Sequence, residues 1–283
     1  MYWVSILNAA PTRARFSGAG RLIGGKYINR MVLCALFSTL CPLAAQETLW
    51  PTPPFPPPLA AGVNPTTVPI PVDGWFLRVQ ENIKNAKSRQ VDLIFDGDSI
   101  TDWLQYKGPE VWKKYYAPRQ AFDFGIAGDQ IEHVLWRLKE GQVDGLHPKL
   151  VVLLIGTNDF KTRDTDDQIA EGIHNLWHEY STRLPEARFL TLGIFPRGPH
   201  ATDPLRARII HINEMLGQYH DNPKITYLDI GNKFLDAQGE ILPDIMSDFL
   251  HPTPKGYEIW AQAIEDEVAK VIPLPVAEGA QQP

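Results

Sequence analysis

The chain has 283 residues, 44% hydrophobic and 21% charged, which is enough to bury a sizeable core and excludes disorder or a fibrous repeat. Its net charge of -6 conceals an asymmetry, because residues 1–45 hold five bases and no acid while the remainder carries 22 bases against 33 acids. Such a body repels phosphate backbones and anionic lipid surfaces, so no nucleic acid is expected as a partner.

The first segment in chain order is a run of basic residues ending at Arg30, an apolar stretch Met31 to Leu43, and the small residues Ala44 and Ala45. That order predicts a secretory signal peptide over 1–45, cleaved near Ala45, and a secreted or periplasmic protein. The apolar stretch is too short for a spanning helix and contains Pro42, so no stable membrane insertion is expected. Only Cys34 and Cys41 occur, without C-x-x-C spacing, so cysteine chemistry and a disulfide scaffold are set aside. Residues 46–71 are crowded with proline, which favours extended backbone and reads as a linker, either a stiff tether or a strap across the surface.

From Trp75 onward, strand-length apolar runs alternate with helix-length amphipathic stretches, the pattern of a parallel sheet covered by helices. Strands are expected at Val91 to Phe95, near Phe122, at Leu150 to Ile155, at Phe189 to Phe195 and near Tyr227. Helical stripes run through Phe76, Val79, Ile83 and Ala86, then Ile131, Leu135 and Leu138, then Ile169, Ile173, Leu176, Tyr180 and Leu184, then Leu205, Ile209, Ile212, Leu216 and Tyr219. A last helix begins with Thr253 as N-cap and Pro254 at its first position, with Tyr257, Trp260, Ile264 and Val268 facing inward. Residues 72–272 therefore read as one doubly wound α/β domain of flavodoxin-like type, five parallel strands with helices on both faces, followed by a flexible tail at 273–283. Ligands in such sheets sit beyond the carboxyl ends of the strands.

Four polar clusters lie at those ends or before the last helix. Asp96-Gly97-Asp98-Ser99 follows the first strand, where a serine can be exposed with a backbone N–H free for an oxyanion, or can simply cap a helix. Thr101 stands where the G-x-S-x-G elbow requires glycine. Asp248-Phe249-Leu250-His251 offers a carboxylate and an imidazole on one tight loop, the pair a serine nucleophile needs. Gly125 to Asp129 and Gly156-Thr157-Asn158-Asp159 bring glycine N–H and asparagine amide donors of the oxyanion-hole kind, although each alone is also an ordinary turn.

Taken together, Gly97-Asp98-Ser99, Gly128, Gly156 to Asp159 and Asp248 to His251 make the sequence resemble the SGNH (GDSL-like) hydrolase family, over about Val91 to Ile264. Phe124 to Gly141, Pro196-Arg197-Gly198, the segment near Arg206 and Asp248 to Thr253 make it most similar to the catalytic subunits of platelet-activating factor acetylhydrolase and their secreted bacterial relatives. The resemblance implies a serine esterase with no cofactor and no metal, in which Ser99 is the nucleophile, His251 the base and Asp248 its orienting acid. The oxyanion donors would be the Ser99 and Gly128 N–H groups and Asn158. Asp98 reads as structural. Asp96 departs from the apolar residue or glycine usual before this motif, and either perturbs its neighbours or is exposed and structural. His133, His174, His178, His211 and His220 are read as helix-borne histidines, satisfied or solvated rather than ligands, and Trp136, Trp177 and Trp260 as core rather than substrate platforms.

The function so implied is exported hydrolysis of short-chain acetyl esters through an acyl-enzyme, with an acetylated carbohydrate as preferred substrate and a platelet-activating factor or lysophospholipid ester as the alternative. The expected partner is a small-molecule or glycan ester, and oligomeric state stays open, a homodimer included. Two rivals stand further off: a magnesium phosphatase using Asp96 and Asp98 with Asp244 and Asp248, and a non-catalytic glycan-binding module.

Overall fold

A computed structural model describes residues 59–162 and 164–275. The expected signal peptide and the first part of the proline-rich stretch, up to residue 58, lie outside the described residues, as does the tail beyond 275.

Five strands, β1 (Leu93–Gly97), β2 (Ala121–Asp123), β3 (Leu150–Leu154), β4 (Arg188–Leu192) and β5 (Ile225–Leu228), form one sheet in the order β2-β1-β3-β4-β5, every pairing parallel. This is the doubly wound arrangement that the strand and helix alternation predicts. The order reverses between β1 and β3, and that switch point opens the crevice in which the site lies. Because side chains alternate along a strand, Val151 and Leu153 of β3 enter one core while Leu150, Val152 and Leu154 enter the other. On the first side pack α5 (Ile131–Lys139), α6 (Asp166–Arg183) and α7 (Pro204–Leu216). On the second pack α8 (Pro254–Val271) and the short α2 (Ser99–Asp102), α3 (Leu104–Lys107) and α4 (Pro109–Val111). The first helix, α1 (Phe76–Lys87), buries Val79 and Ile83 against Ile126 and Trp136.

Strand β1 differs from its expected bounds. It starts at Leu93 and runs on through Asp96 and Gly97, past the end of the apolar run at Phe95. The strand can continue because the Asp96 carboxylate meets Arg137 of α5 at 2.8 Å, a partner 41 residues away that no local pattern reveals. Thr253 caps α8 and Pro254 opens it, as expected from the sequence. His220 is the exception among the helix-borne histidines, since α7 ends at Leu216 and His220 follows in the connection to β5.

Residues 64–70 lie across the domain as a strap. Asn64 Nδ2 and Thr66 Oγ1 donate to the Gln168 carbonyl of α6 at 3.0 and 2.8 Å, and Ile70 N–H donates to the Glu132 carbonyl of α5 at 3.1 Å. Among the described residues no helix is long and apolar enough to cross a membrane.

Candidate active site

The Ser99 loop is shaped by two local features. Asp98 is the N-cap of α2, its Oδ1 accepting the Ile100 N–H at 2.9 Å, so Ser99 becomes the first helical residue and its own N–H has no acceptor within the helix. Gly97 precedes it with φ 155°, where a Cβ would stand 2.0 Å from the Leu154 carbonyl oxygen, so no other residue fits the approach of β1 to β3. Burial pushes Asp98 up to about 7, against the Ile100 N–H, which lowers it. Asp98 is thus the structural residue that its place in the motif suggests.

Across the crevice, the loop before α8 turns sharply enough to fold Asp248 back on His251. Phe249 sits at φ 58°, a conformation that non-glycine residues seldom adopt. Its carbonyl accepts the Gly198 N–H at 2.9 Å, and its own N–H donates to Met246, which fix the turn. Asp248 Oδ1 accepts the His251 backbone N–H at 2.8 Å, and its Oδ2 lies 2.6 Å from His251 Nδ1. The other ring nitrogen, Nε2, lies 2.9 Å from Ser99 Oγ. Structure therefore brings Ser99, His251 and Asp248 into one chain of hydrogen bonds from residues 152 positions apart. Burial lowers the His251 imidazolium below the ordinary histidine value although Asp248 opposes it. For Asp248 burial acts upward, but the hydrogen bonds from the His251 ring and backbone outweigh it and hold the carboxyl below its usual range. A neutral imidazole between a hydroxyl and a carboxylate can take the hydroxyl proton and return it to a leaving group.

The two other expected residues share one hydrogen-bonded unit. Asn158 is buried and one amide hydrogen goes to the Asp129 carbonyl at 2.9 Å, which leaves the second to donate elsewhere. Gly128, immediately before Asp129, has φ 91° and lies under the Trp75 ring, which a Cβ would approach to 3.3 Å. The Gly128 loop is clamped from both flanks: Ala127 N–H donates to Asp102 Oδ2 at 2.9 Å, and Arg78 pairs with Asp102 and reaches the Gly125 carbonyl at 3.3 Å.

Four supporting residues were not singled out by motif reasoning. Arg137 binds Asp129 at 2.7 Å and Asp96 at 2.8 Å in full burial, joining β1, α5 and the Gly128 loop. Its guanidinium is raised, burial acting downward but the two carboxylates prevailing. Tyr180 and Gln142 complete the shell around Asp96, which is wholly buried, so the exposed alternative for Asp96 is corrected. Arg197 donates to the Thr157 carbonyl at 2.8 Å and ties the loop after β4 to the Asn158 turn. The Phe124 to Gly141 and Pro196-Arg197-Gly198 stretches already contain Arg137 and Arg197, and charge inside otherwise apolar segments is the signal that would have marked them.

The acids of the phosphatase reading do not converge. Asp96 is committed to Arg137, and Asp244 is an exposed partner of Lys255 at 2.6 Å. His133 accepts the Gln130 N–H at 3.0 Å, while Trp136, Trp177 and Trp260 are core side chains.

Residues 95–259 match the model of the GDSL-like lipase/acylhydrolase family. The chain belongs to that family. It is an ester-hydrolysing enzyme. This acylhydrolase is 34% identical over 203 residues to the platelet-activating factor acetylhydrolase IB subunit alpha2 of Rattus norvegicus, covering 69% of its own length and 86% of the relative's. With the human subunit alpha1 the identity is 31% over 224 residues, or 77% and 95% of the two chains. Among solved structures, a putative acylhydrolase from Bacteroides fragilis superposes with a TM-score of 0.59 at 22% identity, over 70% of this chain and 98% of that one. An acetylxylan esterase from Geobacillus stearothermophilus gives 0.51 at 20%, over 62% and 93%. At those identities the two structures speak for the fold.

Proposed function

We propose that the protein is an exported serine esterase that removes short acyl groups, acetyl above all, from carbohydrate esters. The hydrogen-bonded relay from Ser99 through His251 to Asp248 carries this reading. Ser99 Oγ attacks the acyl carbon as its proton passes to His251 Nε2, and Asp248 steadies the imidazolium. The oxyanion forms against the Ser99 and Gly128 N–H groups and the second amide hydrogen of Asn158. His251 then protonates the departing alcohol, and water, deprotonated by the same nitrogen, releases the acid from Ser99.

For the alcohol, the rim of the site supports a sugar. The Trp103 ring lies 4.1 Å from that of His251, and Tyr106, 60% exposed, is its aromatic neighbour at 6.3 Å. Lys107 Nζ lies 3.8 Å over the Trp103 ring, so the exposed Tyr106 is the aromatic surface on which the apolar face of a pyranose can lie. The relatives named for platelet-activating factor favour a lipid ester as second reading. Export rests on the basic flank, short apolar run and small residues of 1–45.

Specificity constants on p-nitrophenyl acetate, butyrate and octanoate, followed by release of acetate from acetylated xylan, mucin sialic acids and a short-chain lipid ester, test the reading. Acetate is expected to lead the first series and a glycan the second. An octanoate optimum overturns the acyl assignment, and a lipid ester preferred over every glycan overturns the alcohol assignment. Intact mass of protein from the native source decides export, with cleavage near Ala45 expected.

A further inference from the structure

We propose that His174 and His178 of α6, with Asp221 of the α7–β5 connection, form a binding site for a divalent cation of the zinc class, remote from Ser99. The two histidines are one helical turn apart, and both aim Nε2 at the same carboxylate oxygen. His174 Nε2 lies 3.0 Å and His178 Nε2 3.1 Å from Asp221 Oδ2. Two ligands bound at zinc distances of about 2.0–2.1 Å stand about 3.3 Å apart in a tetrahedron, so both His–Asp separations already match ligand spacing. All three ligand atoms fall within 4.8 Å of one another, and the exposed His178 ring is the one that would turn to shorten the His–His span.

Local packing prepares the donors. The His174 ring stacks flat on Tyr219, 3.9 Å between centroids with planes 7° apart, and meets Trp177 edge-on, which fixes its orientation without using Nε2. Two imidazoles and one carboxylate suit zinc, copper or nickel, and do not suit magnesium or calcium, which require oxygen. His200 with Glu240 and His211 with Asp166 are simple pairs, whereas here three ligand-type side chains converge, the one such group among the described residues.

The site's place gives it a structural role. Asp166 opens α6 after the Asn158 turn, at the carboxyl end of the sheet. His174 and His178 come eight and twelve residues later, about 12 and 18 Å along the axis, and Asp221 precedes the start of β5. A bound cation would clasp α6 to the α7–β5 connection near the opposite end of the sheet from Ser99.

The test is calorimetric titration of the full chain, stripped with a chelator and desalted, with zinc chloride, beside thermal unfolding with and without the ion. His178→Ala and Asp221→Asn change exposed side chains and leave Cys34 and Cys41 in place, so the comparison isolates this cluster. Wild type is expected to bind zinc at least tenfold more tightly than either variant and to melt higher with zinc, because binding confined to the folded state stabilises it. His211→Ala is expected to bind as wild type does, and magnesium chloride to give no matching heat. Isotherms for His178→Ala and Asp221→Asn that superpose on wild type would overturn the proposal.

Discussion

A serine hydroxyl is a weak nucleophile until a base takes its proton, so Ser99→Ala and His251→Ala are each expected to lower turnover by ~10³-fold or more with the fold intact, because members of such a relay act as a unit. Retention of a tenth of wild-type turnover with native circular dichroism would remove Ser99 or His251 from the mechanism. Asn158→Ala should cost about 10² to 10³ in turnover with KM little changed if its free amide hydrogen meets the oxyanion. The pH profile tests the same residues from another direction. Base catalysis needs neutral His251, and burial lowers its pKa, so the acid limb of kcat/KM is expected below about pH 6.5, the ordinary histidine value. Asp248 raises that pKa. In Asp248→Asn the limb should therefore move to still lower pH while turnover falls about 10⁴-fold. A limb that moves upward would mean that Asp248 does not face the imidazole in solution.

Elements built on apolar periodicity are legible in the sequence, and elements decided by distant charge are not. Ile169, Ile173, Leu176 and Tyr180 fall on one face of α6 and are all buried, since a 3.6-residue stripe can satisfy only one packing direction. Ser99, Asp248 and His251 are marked by likeness to the family's blocks, since each motif alone is also an ordinary cap or turn, and the structure brings their side chains together. The end of β1 is not legible. A run of apolar residues stops at Phe95, and only Arg137 on α5 explains why the strand continues through Asp96. That linkage gives α5 a testable duty. Arg137→Met should destabilise the protein by about 3–5 kcal/mol in urea unfolding, since it leaves the Asp96 and Asp129 carboxylates buried without their cation. At temperatures where the variant stays folded, turnover should fall too, because Asp129 accepts the Asn158 amide and directly follows Gly128. Stability within 1 kcal/mol of wild type, the effect of a surface pair, would show that the network is dispensable.

Across the whole molecule, buried acids gather under the active-site edge of the sheet, and their titration sets how stability depends on pH. Burial pushes Asp98, Asp129 and Glu132 up to about 7, and Asp123 and Asp159 well above the ordinary aspartate value. Each binds a proton more tightly folded than unfolded, so its stabilising effect is full below about pH 4; for Asp98, Asp129 and Glu132 it is lost as pH rises through about 7, and for Asp123 and Asp159 it is lost as pH rises through their raised folded values. His133 runs the other way. Burial, with Arg137 assisting, lowers it to about 4, so its contribution is full above about pH 6.5 and lost as pH falls towards 4. Lowered acids such as Asp92 and Asp248 matter only below about pH 4. Between pH 5 and 8 five buried acids therefore oppose two histidines, His133 and the likewise lowered His251, and the urea midpoint is expected to be higher at pH 5 than at pH 8. Glu132→Gln supplies the attribution: an amide replaces the protonated form, so the variant should lose part of that slope by gaining at pH 8. A midpoint that climbs steadily from pH 5 to 8 would mean that these carboxyls stay ionised in the fold, with Arg137 and solvent compensating for burial. If the slope is as expected, the fold weakens with rising pH over the range in which His251 becomes the neutral base, so activity on the alkaline side is limited by the loops that hold Ser99, Gly128 and Asn158 and not by the base.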